Sequence, residues 1–171
     1  MDRVEREDSV TYPCEKEDEP GSEIVFSQKF PTQSGLGKIV PTDIISPDEL
    51  PDKDFPFVLT TGRLLEHWHT GSMTMRAKIL NSIEPEPYVH ISKNDMKNNN
   101  LTQNDTIELQ TRRGKITVKV RKDRMIPDGL VFMPFCFEKA PVNLLTNQAL
   151  DPDGKIPELK YCAAKISKIN V

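Results

Sequence analysis

A chain of 171 residues is long enough to bury the core of one ordinary domain and to carry an extension besides. Hydrophobic residues make up 36% and charged residues 29%, the mean hydropathy is −0.52, and no apolar run reaches the length of a membrane span, so membrane insertion is not expected. Lys and Arg total 23 against 26 Asp and Glu, a net charge of −3, which lacks the basic excess of a general nucleic-acid binder; no nucleic-acid partner is expected.

The opening residues MDRVEREDS have neither the basic start nor the apolar stretch of a secretory signal, and three widely separated cysteines make no disulfide framework. A reducing, cytoplasmic setting is the expectation. Fourteen prolines against eight glycines describe a chain punctuated by turns, which favours a β-rich architecture.

Residues 1–53 show little sustained periodicity and read as an extended N-terminal arm or linker. Ile24-Val25-Phe26 and Lys38-Ile39-Val40, separated by Pro31, Gly35 and Gly37, suit a loose hairpin with a long connection. Gly35-Leu36-Gly37 is not a dinucleotide fingerprint, because Pro41 follows and no helical pattern opens behind it. From Phe55 the character changes. Phe57-Val58-Leu59-Thr60-Thr61 is a β-prone run delivering a loop at Gly62-Arg63. Met73, Ala77 and Leu80 predict a short helix after Ser72 that stops before Pro85. Val89-His90-Ile91 predicts a strand, and Ser92 followed three residues later by Asp95 predicts a capped short helix over 94–98.

The alternation of Ile107 and Leu109, resumed after Arg112-Arg113-Gly114 by Ile116, Val118 and Val120, predicts a hairpin with one buried face. Arg121 to Arg124 read as a solvated basic stretch and Pro127-Asp128-Gly129 as a turn. Leu130-Val131-Phe132-Met133 reads as an interior strand, and the region around Cys162 to Ile166 as a closing one. Short strands with small helices between them predict a compact barrel, here 54–171, without an internal sequence repeat.

One connection concentrates unusual residues: Gly62-Arg63, then Glu66-His67-Trp68-His69-Thr70-Gly71-Ser72, with two of the three histidines and the only tryptophan. Zinc chelation by His67 and His69 lacks further ligands at suitable spacing, and no nucleophile motif accompanies His67. No metal ligand and no catalytic residue is therefore assigned. The plain alternative for His67 is a hydrogen-bonded histidine in a polar loop. Anion and nucleotide binding accounts for more: Gly62 permits close approach, Arg63 offers a planar fork for phosphate, and Thr70-Gly71-Ser72 add hydroxyls and backbone N–H groups. Trp68 or the His rings would stack on a heterocycle, while Asn143, Thr146 and Asn147 are candidates for reading its edges. The competing reading of those three is an ordinary polar turn, and of Arg112 and Arg113 hairpin-turn charges.

The strings Thr60-Thr61-Gly62-Arg63, His67-Trp68-His69-Thr70-Gly71-Ser72-Met73-Thr74, Arg112-Arg113-Gly114, Pro134-Phe135, Asn143-Leu144-Leu145-Thr146 and Pro157-Glu158-Leu159-Lys160-Tyr161-Cys162-Ala163 stand here in one order. Together they resemble the C-terminal molybdopterin-dinucleotide-binding domain of the dimethyl sulfoxide reductase family. Leu65 to Thr74 and Asn143 to Tyr161 look most like the catalytic (alpha) subunit of formate dehydrogenase. Assimilatory nitrate reductases are the nearest competitor, and a stand-alone double-psi barrel serving as a binding or assembly module is a third reading.

The resemblance implies a mainly β fold with short helices, a six-stranded double-psi β-barrel. It implies a bis-molybdopterin guanine dinucleotide cofactor with molybdenum or tungsten, shared with other domains. Arg63, Glu66, His67, His69, Thr70 and Ser72 are the positions carried over as cofactor contacts, with Thr61 and Gly62 as the backbone approach. Asn143, Lys160 and Tyr161 are further pterin or nucleotide contacts, and Phe135 lines the same pocket. The family's iron–sulfur cysteines and its cysteine or selenocysteine metal ligand have no counterpart here. The implied partners are therefore the remainder of a catalytic subunit carrying those parts, together with electron-transfer subunits. The isolated chain is expected to be incompetent for redox chemistry alone.

Overall fold

The computed structural model describes residues 2–7 and 9–169. Its contacts separate two units, residues 1–44 and 45–171. In the first, α1 (Asp2–Glu7) is followed by turns, and Arg3 reaches Glu7 across one helical turn at 3.0 Å. The loose hairpin expected over residues 24–40 does not form. Gly35 (φ 72°) instead turns the chain so that its carbonyl accepts from Phe30 N–H at 2.9 Å, and the Phe26 and Phe30 rings stack 5.5 Å apart. Segment 45–53, read from sequence as the end of the arm, groups with the second unit.

The second unit is a closed barrel of six strands: β1 (Phe57–Gly62), β2 (Tyr88–Ile91), β3 (Thr106–Gln110), β4 (Lys115–Lys122), β5 (Leu130–Pro134) and β6 (Cys162–Lys168). Around the barrel they run β1-β5-β2-β4-β3-β6. The pairs β1·β5 and β2·β4 are parallel; the other four are antiparallel. Advancing every strand by three positions in sequence maps this set of pairings onto itself. The two halves of the barrel are thus related by a topological two-fold, the double-psi arrangement.

Period-two patterning builds the core. In β3 and β4 the alternate residues Ile107, Leu109, Ile116, Val118 and Val120 are buried while their neighbours are not. Leu59, Val89, Ile91, Val131 and Met133 complete the interior at essentially zero exposure, each contributing roughly 2 kcal/mol of apolar burial. The helix expected after Ser72 is broken in two, a 3-10 turn over Thr74–Arg76 and α2 (Lys78–Ile83), because Ala77 between them is extended (φ −79°, ψ 108°). The next helix, α3 (Lys93–Asn98), starts as the sequence indicates, with Ser92 Oγ accepting from Asp95 N–H at 3.0 Å. In the basic stretch at the end of β4, Lys122 and Arg124 are exposed as expected, whereas Arg121 is half-buried. Arg121 lies within β4, binds Glu84 with both guanidinium nitrogens at 2.7 and 3.0 Å, and stacks 4.1 Å from the centre of the Tyr88 ring.

Candidate functional site

Strand direction decides where the candidate residues meet. Because β1 and β5 are parallel neighbours with Gly62 opposite Pro134, both C-terminal ends open onto one rim. Strand β6 is antiparallel to β1 with Leu59 opposite Cys162, so its start arrives at the same rim. Thr61, Gly62, Arg63, Phe135, Lys160 and Tyr161 are brought together there from three separate stretches of sequence. Asn143 follows in the loop after β5, in a 3-10 turn over Val142–Leu144.

Several of these residues are already engaged. Thr61 is buried, and its hydroxyl donates to the Leu159 carbonyl at 2.9 Å. Lys160 Nζ donates to the Thr61 carbonyl at 2.6 Å, tying the start of β6 to the end of β1. At Gly62 a Cβ would lie 2.4 Å from Phe132 Cε2, so the space that a side chain would take is filled by the chain's own ring. The Gly62 carbonyl accepts from Phe135 N–H at 3.2 Å.

The loop from Arg63 to Met73 is held from beneath by His67. This side chain is only 1% exposed; Nε2 pairs with the Glu84 carbonyl at 2.7 Å and Nδ1 with Thr74 Oγ1 at 3.2 Å, while Phe137 packs edge-on at 5.7 Å. That arrangement matches the plain reading of His67 as a hydrogen-bonded histidine in a polar loop. Both ring nitrogens are used inside the chain, and the residue acts as an internal brace. Thr74 Oγ1 also accepts from Trp68 N–H at 3.1 Å. The loop then reverses through His69 (φ 47°) and Gly71 (φ 72°), closed by Gly71 N–H donating to Trp68 O at 2.9 Å. A Cβ at Gly71 would meet the Cys136 carbonyl at 2.9 Å, so glycine is required here by both dihedral and space. Arg63, His69, Thr70 and Ser72 are left exposed on the loop, with Glu66 partly so.

Two clefts flank this rim, and they differ in how their polar groups are spent. One, of about 530 Å³, is lined by Thr70, Gly71, Ser72, Arg76, Phe135 and Glu138 among others. No hydrogen bond or ion pair among the described residues engages the Thr70, Ser72, Arg76 or Glu138 side chain. The other, of about 580 Å³, includes Arg113, Asn143, Thr146 and Asn147. Here Thr146 Oγ1 donates to the Asn143 carbonyl at 3.0 Å, and Asn147 Nδ2 donates to Glu158 at 3.0 Å and to Asp48 at 3.3 Å. Asn147 Oδ1 accepts from Ala149 N–H at 3.1 Å. For Thr146 and Asn147 the polar-turn reading holds, and of the three candidates Asn143 is the one left exposed. Arg113 is likewise committed, with Nη2 on Glu49 at 2.6 Å and Nε on the Leu145 carbonyl at 3.1 Å.

Glu49 was not among the residues singled out from sequence. Its carboxylate binds Arg112 and Arg113 and accepts from Ala163 N–H at 3.1 Å, while Asp52 pairs with Arg112. Burial pushes the Glu49 carboxyl up, but the hydrogen bonds from Arg113, Arg112 and the Ala163 amide outweigh it and hold the group below the ordinary glutamate range. Nothing in the sequence marked Glu49, because its partners lie more than sixty residues further along the chain. Among the described residues, no three His, Cys, Asp or Glu side chains gather as metal ligands.

A family model described as "Molydopterin dinucleotide binding domain" matches residues 57–163, from the first strand of the barrel to the second residue of the last. The chain belongs to this family. It is 47% identical over 162 residues to the F420-dependent formate dehydrogenase subunit alpha of Methanocaldococcus jannaschii, covering 95% of this chain and 24% of that protein. The assimilatory nitrate reductase catalytic subunit of Bacillus subtilis is 32% identical over 170 residues, covering 98% of this chain and 24% of its own. The chain thus spans about a quarter of the length of these relatives. Acetylene hydratase from Pelobacter acetylenicus shares the fold at a TM-score of 0.59 and 20% identity, over 68% of this chain and 19% of the hydratase. A molybdopterin cofactor follows from the family, and the donor set fits one. An arginine, two hydroxyls and a carboxylate without partners among the described residues, beside a half-buried phenylalanine, match the phosphate, polar edge and flat ring of such a group. No helix among the described residues is long and apolar enough to cross a membrane.

Proposed function

We propose that this chain is the cofactor-binding domain of a formate dehydrogenase catalytic subunit, and that it holds the guanosine-dinucleotide and pterin part of a bis-molybdopterin guanine dinucleotide carrying molybdenum or tungsten. The observation that carries this reading is the identity of 47% to a formate dehydrogenase alpha subunit against 32% to a nitrate reductase, over nearly the whole chain in each case. The metal–pterin group, when bound, supplies the redox chemistry; this chain binds and encloses it.

Arg63 is the exposed cation at the end of β1 and offers two parallel N–H donors to a phosphate. Thr70 and Ser72 present hydroxyls on the loop that His67 braces, and Glu66, His69, Asn143 and Tyr161 extend the polar surface around it. Phe135 supplies an apolar wall that keeps water from one face of the ring. Lys160, fixed on the Thr61 carbonyl, holds the two strand ends together at the rim. The iron–sulfur cysteines and the metal's protein ligand are assigned to the remainder of the subunit, with electron-transfer subunits beyond it. The three free thiols, Cys14, Cys136 and Cys162, suit a reducing cytoplasmic setting.

The test is Arg63→Gln in the whole catalytic subunit, with metal and pterin content measured beside formate oxidation. Retention of the cofactor is expected to fall and activity with it, in proportion. Full occupancy in the variant, or nitrate reduction without formate oxidation in the unaltered subunit, overturns the reading.

A further inference from the structure

We infer that Arg121 is a positioning residue for the cofactor loop: its guanidinium fixes the backbone carbonyl of Glu84, and on that carbonyl His67 braces residues 66–74. The inference rests on the domain-level reading above and goes beyond it by giving a role to a side chain of the barrel wall. Neither Arg121 nor Glu84 lines the cleft of Thr70 and Ser72. Hydrogen-bond polarity sets the direction of the contacts between them and the loop. The Glu84 carbonyl can only accept, so His67 Nε2 carries a proton and donates across the 2.7 Å contact. Thr74 Oγ1 already accepts from Trp68 N–H at 3.1 Å and has its own proton for His67 Nδ1 at 3.2 Å. In the uncharged ring the proton is thereby fixed on Nε2, provided the carbonyl stays where it is.

Glu84 follows α2 with dihedrals outside the helix (φ −128°, ψ 80°), in keeping with its place before Pro85, while its N–H still donates to the Leu80 carbonyl at 3.2 Å. Its own carbonyl therefore leaves the helical direction, and a further contact has to orient it. Arg121 supplies that contact. Nη1 and Nη2 meet the two carboxylate oxygens at 2.7 and 3.0 Å, a planar fork that fixes the Glu84 side chain in orientation as well as distance. The guanidinium is itself seated over the Tyr88 ring, 4.1 Å from its centre. The two side chains are 29% and 16% exposed, so water screens the pair little. Two residues further on, Lys119 pairs with Glu86 through one nitrogen, with side chains 42% and 46% exposed, and a pair of that kind contributes little. A loop ordered in advance spares a ligand the cost of ordering it, which is how a residue outside the cleft acts on retention.

The experiment combines nitrogen-15 NMR of the imidazoles at about pH 8, where an ordinary histidine is uncharged, with amide hydrogen exchange on the 171-residue chain. In the unaltered chain His67 should show one tautomer, protonated on Nε2, whereas the exposed His69 averages two. Arg121→Met keeps an unbranched stem on Tyr88 and removes the fork. His67 should then average its tautomers, and residues 66–76 should exchange about tenfold faster while β3 keeps its protection, as expected for loss of a charge-assisted contact that serves the loop alone. Arg121→Lys, which keeps the charge without the fork, should restore only part of the signal. Lys119→Met, the control on the neighbouring pair, should leave His67 unchanged. In the whole catalytic subunit, Arg121→Met should release bound pterin about tenfold faster than the unaltered subunit.

Averaged His67 tautomers in the unaltered chain, a single tautomer persisting in Arg121→Met, full restoration by Arg121→Lys, or an equal change in Lys119→Met would overturn the assignment. So would exchange quickened as much over β3 as over the loop, or pterin release at the unaltered rate. The chain-level signals need no cofactor, and retention in the Arg63→Gln subunit is read independently. The positioning role can therefore fall while the domain-level reading stands, and the reverse.

Discussion

The ring of Phe132 stands where a side chain at position 62 would have to go. A Cβ on Gly62 would lie 2.4 Å from Phe132 Cε2 and 2.9 Å from Cζ, and His90 packs edge-on against the same ring at 5.5 Å. His90 is in turn fixed by Asp123, whose Oδ2 lies 2.9 Å from Nδ1. Phe132 therefore has little room to yield. Gly62→Ala is expected to destabilise the barrel by about 1–3 kcal/mol, the usual cost of overpacking. Adding Phe132→Leu should recover part of that loss. Denaturant unfolding of the two single variants and the double variant measures the coupling, and simple additivity would show that the ring is not the obstacle.

His67 makes a contrasting prediction, because its replacement removes a brace. His67→Leu keeps the volume but abandons the Glu84 carbonyl and Thr74 Oγ1, and with it the loop that carries Thr70 and Ser72. A loss of about 2–3 kcal/mol is expected from two internal hydrogen bonds. Amide hydrogen exchange should quicken over residues 66–76 ahead of the barrel strands. Uniform protection in the variant would mean that the loop is held by other contacts.

The barrel was legible in the sequence where structure is local. Ile107, Leu109, Ile116, Val118 and Val120 announce a hairpin by alternation, and Ser92 with Asp95 announces a helix start by one hydrogen bond. The pairings that close the barrel are not local. That β1 lies parallel to β5, and β2 to β4, leaves no mark in period-two patterning, since buried residues on one face do not say which strand adjoins them. The two-fold relation between the halves is carried by topology without a sequence repeat.

The site divides in the same way. Arg63 and Phe135 stand in motifs that survive folding as exposed or cleft-lining groups. Thr146 and Asn147 looked equally suited to a ligand, but their hydrogen-bonding capacity is consumed by Asn143, Asp48 and Glu158. Arg76 and Glu138, far apart in sequence, line one cleft because the barrel brings their two loops together. The break of the predicted helix at Ala77, which ends the turn carrying Arg76, also lay outside helical periodicity.

Thiol chemistry separates the three cysteines. Cys136 is 2% exposed, and burial pushes its thiol up to about 11; burial raises Cys162 too. At pH 8 the thiolate fraction of Cys136 is on the order of one in a thousand. Native protein treated with a thiol-reactive dye at pH 8 should therefore label Cys14, which is only partly buried, and should release the other two thiols after unfolding. Rapid labelling of two or more thiols in native protein would contradict the buried placement.

The carboxylate of Glu49 sets the last expectation, a dependence of stability on pH. Its folded pKa is depressed, so its contribution is fully present above the unfolded glutamate value of about 4.3 and is lost as pH falls through the lower folded value. Asp52 and Asp123 are depressed as well and act in the same direction, Asp52 through the Phe55 and Asp54 amides first and Asp123 through the Met125 amide first. Glu49→Gln removes the charge that holds Arg113 and Arg112, leaving weaker bonds to the guanidinium groups and to the Ala163 amide. At pH 7 the variant should be less stable by about 1–2 kcal/mol, a figure reduced because Arg112 is 41% exposed. As pH falls below about 4, the gap between variant and unaltered chain should close, since the carboxyl that distinguishes them is then protonated. Urea midpoints from pH 3 to pH 7 measure this directly. A gap that persists unchanged at pH 3 would show that Glu49 acts through packing and not through its charge.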